Sequence, residues 1–157
     1  MTQYHLDDLD IDILRKLSEN ARCPYQEIAR ECGVSGASIH QRIQRLTSLG
    51  IIQGSETHID ATALGYSTCA YMGFFLTDPA QFNTVIEKLK DIPEVVECHF
   101  TTGKYDIFIK IHARNNEHLL NLIHTKLQQL GTARTETLIS FREVFRRQFP
   151  IKIDHEE

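Results

Sequence analysis

The sequence predicts an α+β protein, with a helical domain first and a mixed domain of strands and helices second. Residues 8–49 contain three amphipathic segments of helical spacing, interrupted at Pro24 and Gly33. Residues 68–145 alternate strand-length apolar runs with two further helices. The segment between them has the composition of a linker. The expected boundaries are 1–60 for the first domain, 61–67 for the linker and 68–157 for the second domain.

The first helix is expected to start from an N-cap at Asp8 or Asp10 and to end at about Glu19. Acids in a first turn suit the positive end of the helix dipole, so capping is the expected role of these carboxylates. The apolar residues of this helix recur at helical spacing: Leu9, Ile13, Leu14 and Leu17.

A second helix is expected from about Tyr25 to Cys32, and Gly33 ends it because glycine tolerates the left-handed conformation after a helix. Ser35 caps a third helix that reaches about Leu49. Two helices joined by a glycine turn, with the small Ala29 where they cross, are typical of a helix-turn-helix. The apolar face of the third helix consists of Ile39, Ile43 and Leu46.

The outer face of the third helix carries serine, glutamine and arginine, and residues 33–50 contain no acid. Such side chains donate to phosphates or read base edges in the major groove. An ordinary three-helix bundle with a polar face is the alternative. The candidate DNA-binding residues are Ser35, Ala37, Ser38, Gln41, Arg42, Gln44 and Arg45.

A wing is expected after the third helix. Gly50 ends that helix, Ile51 and Ile52 begin a short apolar strand, and Gly54 turns the chain back toward residues 57–59. The first domain is therefore predicted to be a winged helix-turn-helix.

The second domain is predicted to have the order βαββαβ, which is that of a ferredoxin-like fold. Asp78 and Pro79 open its first helix, and Asn116 caps its second helix, which Gly131 ends. The expected strands are Thr68–Leu76, Val95–Thr101, Tyr105–Ala113 and Arg134–Phe145, and the apolar residues of the second helix are Leu120, Ile123, Leu127 and Leu130.

The third strand of this domain alternates cleanly between two faces. Tyr105, Ile107, Ile109, Ile111 and Ala113 are expected on one face, and residues 106, 108, 110 and 112 on the other. Two helices cover one face of the sheet. The other face still carries aliphatic and aromatic side chains, so a partner must cover it, and homodimerisation is the simplest explanation.

The composition excludes several classes of protein. No apolar stretch approaches the ~20 residues that span a bilayer, and residues 1–8 have no secretory signal, so a cytoplasmic location is expected. The spacing of Cys23, Cys32, Cys69 and Cys98 matches neither a disulfide framework nor a zinc site. Buried, inert thiols are expected, with no metal and no cofactor.

The formal net charge of −4 is unusual for a chain that binds nucleic acid. Residues 1–60 contain nine acids and six bases. Local charge decides where a phosphate backbone docks, so a dipolar domain can still bind DNA, although one copy alone is expected to bind weakly.

The chain resembles the leucine-responsive regulator/asparagine regulator (Lrp/AsnC) family over essentially its whole length, and is closest to the asparagine-responsive branch. The matching segments are residues 9–14, Asn20-Ala21-Arg22, Ile28-Ala29 with Gly33-Val34-Ser35, Arg42-Ile43 with Leu46, residues 49–52, Thr102-Gly103 with Tyr105-Asp106, and Thr135-Glu136-Thr137.

The resemblance implies a transcription regulator whose dimers assemble further, often into octamers, and whose amino-acid effector binds between dimers. It places the effector site at Thr102, Gly103, Tyr105, Asp106, Thr135 and Thr137. A glycine turn exposes N–H groups for a carboxylate, and Asp106 could pair with an α-ammonium. Asp106 could instead hold the turn, and the threonines could simply favour a strand. Because Lys104 and Asp106 depart from the asparagine-responsive pattern, the identity of the effector stays open.

Two other functions compete with this prediction. Some relatives of the family decarboxylate tetrapyrroles through His and Arg residues, and His99 and His112 could be neighbours across the sheet. The spacing of the eight histidines supports no catalytic grouping, so no enzyme is expected. The other alternative is a sensing or scaffold protein that no longer binds DNA, against which Arg42 and Arg45 argue.

Overall fold

The computed structural model describes residues 4–151, which fall into two compact units. The first unit runs up to Thr57 and includes the chain again from Arg146, and the second unit is His58–Phe145. This division differs from the expected boundaries at both ends of the second domain. The segment before the first strand is tied to the second unit, because Ser67 donates through N and Oγ to Arg114 O, at 3.3 and 2.7 Å. The late segment returns to the first unit, where Arg15 Nε donates to Ile151 O.

Three helices make up most of the first unit: α1 (Asp8–Glu19), α2 (Tyr25–Cys32) and α3 (Gly36–Ser48). Their apolar residues meet in one core, as the helical spacing predicts. The buried members of that core are Ile13, Ile28, Ala29, Ile39, Ile43 and Leu46.

The N-cap of α1 is Asp7, so the prediction of Asp8 or Asp10 is wrong. The Asp7 carboxylate accepts from Asp10 N at 2.9 Å, and the Asp10 carboxylate accepts from Asp7 N at 3.4 Å. This reciprocal capping box satisfies two backbone donors that the helix leaves free. Capping by acids is therefore confirmed, although the cap lies one residue before the first candidate, Asp8.

The turn between α2 and α3 is confirmed. Gly33 adopts φ +68°, a left-handed conformation that side chains with a Cβ rarely take. Val34 N then donates to Ala29 O at 3.0 Å, and Ser35 Oγ accepts from Ser38 N at 3.2 Å. The glycine ends one helix and the serine begins the next.

The predicted wing hairpin is wrong, because residues 51–60 contain no strand. Ile51 N and Ile52 N both donate to Leu46 O, at 3.0 and 3.2 Å, and both side chains pack against the helical core. Their apolar surface is thus buried against the helices. A lone two-stranded hairpin has little stability of its own in water, so no strand pairing competes with this packing.

Four antiparallel strands form the sheet of the second unit: β1 (Thr68–Leu76), β2 (Val95–Phe100), β3 (Ile107–Ala113) and β4 (Thr132–Ser140). Their order in the sheet is β2-β3-β1-β4. A short 3₁₀ turn, Pro79–Gln81, leads into α4 (Phe82–Lys90), and α5 (Asn116–Leu122) connects β3 to β4. The βαββαβ order is confirmed. The last strand ends at Ser140 and not at Phe145.

One face of the sheet packs on the helices. Ile107, Ile109, Ile111 and Ala113 are all buried there, as predicted. Tyr105 was expected with them, but it precedes β3 and its ring stacks on Phe108 at 5.7 Å, on the opposite face. The chain turns sharply through residues 101–106, so the strand alternation does not extend back to this residue.

The predicted cap and apolar face of the second helix need correction. The N-cap of α5 is Asn115, which accepts from His118 N at 2.8 Å, and not Asn116. The helix continues as a π-helical turn over Ile123–Leu127 and a 3₁₀ turn over Gln128–Leu130. Leu120 is 53% exposed, and the buried residues are Leu119, Leu122, Leu127 and Leu130. The extra residue in the π turn separates Leu122 from Leu127 by five positions, which a constant period of 3.6 does not anticipate.

The cysteine and histidine expectations are also corrected. Cys23, Cys32 and Cys69 are half-buried and Cys98 is exposed, so none is a core residue. Burial raises the pKa of both Cys69 and Cys98. His99 in β2 lies opposite Phe108 of β3, whereas His112 in β3 lies opposite Cys69 of β1. The two histidines are therefore not cross-strand neighbours.

Residues 4–151 contain neither a membrane-spanning helix nor a metal-binding cluster. None of the helices there combines the length and the apolar character needed to cross a bilayer. Across the same residues, no group of His, Cys, Asp or Glu side chains is arranged to hold a metal ion.

Candidate DNA interface and effector site

The outward surface of α3 is polar and free of acids, as predicted. Ala37, Gln41 and Gln44 are exposed, while the opposite face of the helix is buried in the core. The Ser35 hydroxyl is partly committed, because it accepts from the backbone N–H of Ser38 at the helix start. The two glutamines can therefore reach an external partner, and the small Ala37 permits close approach.

The structure adds His40 and Tyr25 to this surface. His40 is exposed on α3, and its ring lies 6.0 Å from the ring of Tyr25 at the start of α2. His40 was missed although it follows Ala37 by three positions and precedes Gln44 by four, which puts it on the same face of the helix. Tyr25 carried no such signal, since only the packing of α2 against α3 brings the two rings together.

Gly36 allows α2 and α3 to approach closely at the turn. A Cβ at this position would lie 2.7 Å from Nε2 of Gln26, a distance that van der Waals contact does not permit. A larger first residue of α3 would therefore require the exposed Gln26 side chain to move aside.

Arg42 and Arg45 are bound to acids of the first helix. Arg42 NH1 donates to Asp7 Oδ1 and Oδ2 at 2.6 and 2.7 Å and to Asp10 Oδ1 at 3.0 Å. Arg45 NH1 donates to Asp10 Oδ2 at 2.9 Å, and Arg45 NH2 donates to His5 O at 3.1 Å. The predicted DNA contacts thus include two arginines that already have carboxylate partners inside the domain.

The two arginines compensate the buried charge of Asp10. Asp10 is only 1% exposed, and an isolated carboxylate at that depth would be strongly destabilising. Two guanidinium groups compensate it. The hydrogen bond from Arg42 lowers the pKa of Asp7, and the bonds to Asp7 and Asp10 raise the pKa of Arg42. Two cations and two anions leave the group with no net charge.

The predicted effector loop is a tight turn between β2 and β3. Thr102 and Gly103 are exposed, and Gly103 adopts φ +100°. Thr101 closes the turn, because its N–H donates to Asp106 O at 3.1 Å and its Oγ1 donates to Tyr105 O at 2.6 Å. The exposed glycine offers backbone N–H groups at the tip of the turn.

Asp106 holds the loop against β1. Its Oδ2 accepts from Leu76 N at 2.8 Å, and its own N–H donates to Phe74 O at 2.9 Å. These bonds match the alternative in which the carboxylate stabilises the turn. One oxygen of Asp106 is therefore engaged with the protein backbone.

The predicted residues Thr135 and Thr137 are not on the same face of the sheet as Tyr105. They lie opposite Phe74 and Met72, whose side chains are buried on the helix-covered face. The residue between them, Glu136, lies opposite Gly73 and points to the other face. Glu136 was not among the predicted site residues, although strand alternation places it on the face opposite to Thr135.

Glu136 is the centre of a charged cluster that includes the effector loop. Tyr105 Oη donates to its Oε2 at 2.7 Å, Lys104 Nζ lies 2.5 Å from the same oxygen, and Arg134 NH2 lies 2.6 Å from Oε1. The hydrogen bond from Lys104 lowers the pKa of Glu136, and that from Tyr105 lowers it further. We call these four residues, Lys104, Tyr105, Arg134 and Glu136, the loop cluster.

Gly73 makes room for the loop cluster. A Cβ at this position would lie 2.3 to 2.6 Å from three ring atoms of Tyr105, so only glycine lets the ring lie over β1. The ring also contacts Phe75 edge-on, with centroids 5.3 Å apart. Tyr105 is thereby held with its hydroxyl directed at Glu136.

Each of the two units matches a known domain family. Residues 6–47 match the AsnC-type helix-turn-helix domain, and residues 69–149 match the Lrp/AsnC ligand binding domain. The chain is 40% identical over 140 residues to the Regulatory protein AsnC of Haemophilus influenzae, which covers 88% of this chain and 93% of that protein. Such relatives are named as regulators and not as enzymes, which decides against the tetrapyrrole decarboxylase alternative.

Solved structures share the fold. The structure of Escherichia coli AsnC superposes with a TM-score of 0.88 at 35% identity, over 93% of this chain and 99% of that chain. A transcriptional regulator of Neisseria meningitidis, solved as a complex with L-Met, has a TM-score of 0.87 at 19% identity, over 93% of this chain and 97% of that chain. The chain thus belongs to the Lrp/AsnC family and is a DNA-binding transcription regulator.

Proposed function

We propose that this regulator reads specific DNA sequences with α3 and that an amino acid bound at the loop cluster changes its DNA binding or its assembly. The observation that carries the effector half is the arrangement around Glu136, where two cations, a carboxylate and a phenol meet beside an exposed glycine turn. An amino acid is a zwitterion, so its carboxylate could pair with one of the two cations and its ammonium with the carboxylate of Glu136.

The proposed ligand contacts follow from charge. The ligand carboxylate pairs with Lys104 or Arg134 and accepts from the backbone at Gly103, and its ammonium pairs with Glu136. Thr102 and Tyr105 contribute hydroxyl groups. Asp106, Thr135 and Thr137 act on the ligand through the shape of the loop and of β4. Support for this ligand class also comes from the L-Met complex of the fold relative from Neisseria meningitidis.

On the DNA side, we propose that α3 enters the major groove. Gln41 and Gln44 would read base edges, Ala37 would allow close approach, and Ser35, Ser38, Arg42 and Arg45 would flank the groove. The exposure of the glutamines and the lack of acids on α3 support this assignment. Homodimers that assemble further, to octamers by the family resemblance, would present several such helices to one DNA and compensate weak single sites.

A thermal-shift screen of the twenty amino acids tests the effector proposal. An amino acid that binds the native state raises Tm, and about 100-fold excess over Kd stabilises by about 2.7 kcal/mol. We expect Glu136→Gln to abolish the shift, and Glu117→Gln, an exposed acid on α5, to leave it unchanged. The same amino acid should alter the mobility of protein–DNA complexes in a gel-shift series. If no amino acid shifts Tm, or if both variants respond alike, the proposed site is wrong.

A further inference from the structure

One ion pair of the first unit joins Asp7, the N-cap of α1, to Arg42 on α3. A single nitrogen of Arg42, NH1, donates to three carboxylate oxygens, two of Asp7 and one of Asp10. The side chains of Asp7 and Arg42 are 49% and 28% exposed, so both groups reach the surface of the domain. This contact therefore involves a cation that would otherwise be available at the flank of α3.

We propose that Asp7 is a specificity-determining residue for DNA binding, because it withholds the charge of Arg42 from the phosphate backbone. The inference rests on the proposed role of α3 in the major groove. Phosphate contacts add affinity without sequence information, whereas base contacts carry the sequence information. An acid that neutralises a phosphate-facing cation lowers non-specific affinity and leaves a larger share of the binding free energy to Gln41 and Gln44.

Asp7 and Asp10 have different parts in this network. Asp10 is buried and is contacted by both arginines, of which one balances its charge. Asp7 is half-exposed, so the domain does not need an arginine to solvate it. Without the Asp7 charge, Arg42 keeps Asp10 as a partner and the group changes from no net charge to one positive charge. The available cation then lies on the flank of the helix proposed to contact DNA.

The substitution Asp7→Asn isolates the charge from the cap. Asparagine is as good an N-cap as aspartate, so the bond to Asp10 N can be kept. Asp12→Asn is the matched control, since Asp12 lies on the same helix and its carboxylate pairs with Arg15 at 3.2 Å and not with α3. Both variants raise the net charge of the chain equally, and therefore any difference between them is local to the Arg42 contact.

The measurement is fluorescence anisotropy of the full chain on a duplex of arbitrary sequence across a series of KCl concentrations. For each bound protomer, we expect the slope of log K against log[salt] to become steeper by about 0.9 in Asp7→Asn, as one additional phosphate is neutralised. Asp12→Asn should match the wild type. For the duplex that the wild type selects from a random pool, the preference over the arbitrary duplex should fall in Asp7→Asn only.

The outcomes separate this inference from the proposed function. If the wild type selects a duplex and Gln41→Ala weakens that preference, α3 is the recognition helix; equal slopes for Asp7→Asn and Asp12→Asn then overturn the inference alone. If the wild type binds no duplex, or Gln41→Ala has no effect, the proposed role of α3 fails and the inference with it. Asp7→Ser also retains a capping oxygen and repeats the test should Asp7→Asn unfold.

Discussion

At the scale of single residues, the buried Asp10 shows how a charge at a helix start becomes part of the core. Its carboxylate accepts from the N–H of the N-cap Asp7 in the capping box of α1, and it also binds Arg42 and Arg45 of α3. Removing one partner of a buried ion pair leaves an uncompensated charge, which costs more than the pair itself contributes. Both arginines that bind Asp10 reach solvent, so water can partly compensate their charge when Asp10 is removed.

Asp10→Ala should therefore lower the free energy of unfolding by about 2 kcal/mol, below the 3–5 kcal/mol typical of a fully buried pair, since water can solvate the released arginines. Urea denaturation measures this change. Asp12→Ala removes a solvent-exposed pair on the same helix and should stay within about 0.5 kcal/mol of the wild type. Equal effects of the two substitutions would contradict the role assigned to Asp10.

Asp7 gives the stability of the protein an acid-dependent component. Its pKa in the folded state lies below the ordinary value of 3.8, chiefly because of the hydrogen bond from Arg42. A depressed pKa stabilises the fold above 3.8, and this contribution is lost as the pH falls through the folded value. We expect the wild type to lose more stability than Asp7→Asn when urea midpoints are compared between about pH 5 and pH 2.5. Parallel pH profiles would count against the Arg42 contact.

Gly73 is the residue on which the loop cluster depends for space. Gly73→Ala should displace the Tyr105 ring and destabilise the fold by about 1–3 kcal/mol, as overpacking does. A double-mutant cycle with Tyr105→Ala tests the cause, because the alanine at 73 should be nearly neutral once the ring is gone. Additive effects of the two substitutions would show that the ring is not what excludes a Cβ.

At the scale of elements, the π-helical turn after α5 changes which leucines are buried. Leu119→Ala should cost about 2–5 kcal/mol, because Leu119 lies in the core under the sheet. Leu120→Ala should change stability by less than about 0.5 kcal/mol, since that side chain is mostly exposed. The stability of the two variants, measured by thermal or urea unfolding, shows which of the two leucines the helix buries. A larger loss of stability for Leu120→Ala than for Leu119→Ala would instead support the buried face predicted from a constant helical period.

The same element shows where sequence reasoning reached its limit. Local signals were sufficient for α2, β1, the Gly33 turn and the βαββαβ order, because each depends on nearby side chains and regular periods. Leu120 was assigned to the core because the π turn inserts one residue that periodicity cannot reveal. The prediction of a wing failed for a different reason. Ile51 and Ile52 pack against the helical core, and such a tertiary contact leaves no local signal in the sequence.

The candidate sites divide in the same way. The exposed residues of α3 follow from helical geometry and were predictable. Of the loop cluster, only Tyr105 was a predicted site residue. The strand alternation placed Tyr105 on the opposite face, and Glu136 reaches it across β1. The partners of Arg42 and Arg45 lie more than thirty residues earlier in the chain, so only the packing of α1 against α3 identifies them.

At the scale of the whole molecule, the sheet face away from the helices remains the best candidate for self-association. It carries Tyr71, which stacks on Phe108 with centroids 5.8 Å apart, and Leu138, which is 57% exposed on β4. An apolar face of this kind is stabilised when a second copy covers it. If a second copy covers this face in solution, Leu138→Asp should lower the molecular mass measured by light scattering at micromolar concentration.

Leu120 provides the matched control for this prediction. It is also a largely exposed leucine of the second unit, but it lies on α5, on the helix side of the sheet. Leu120→Asp introduces the same charge and removes a similar apolar area, so a general loss of solubility or stability would appear in both variants. A mass change confined to Leu138→Asp identifies the helix-free face of the sheet as the interface. A wild type that is already a monomer would instead rule out assembly through this face, and with it the combination of weak DNA half-sites in one oligomer.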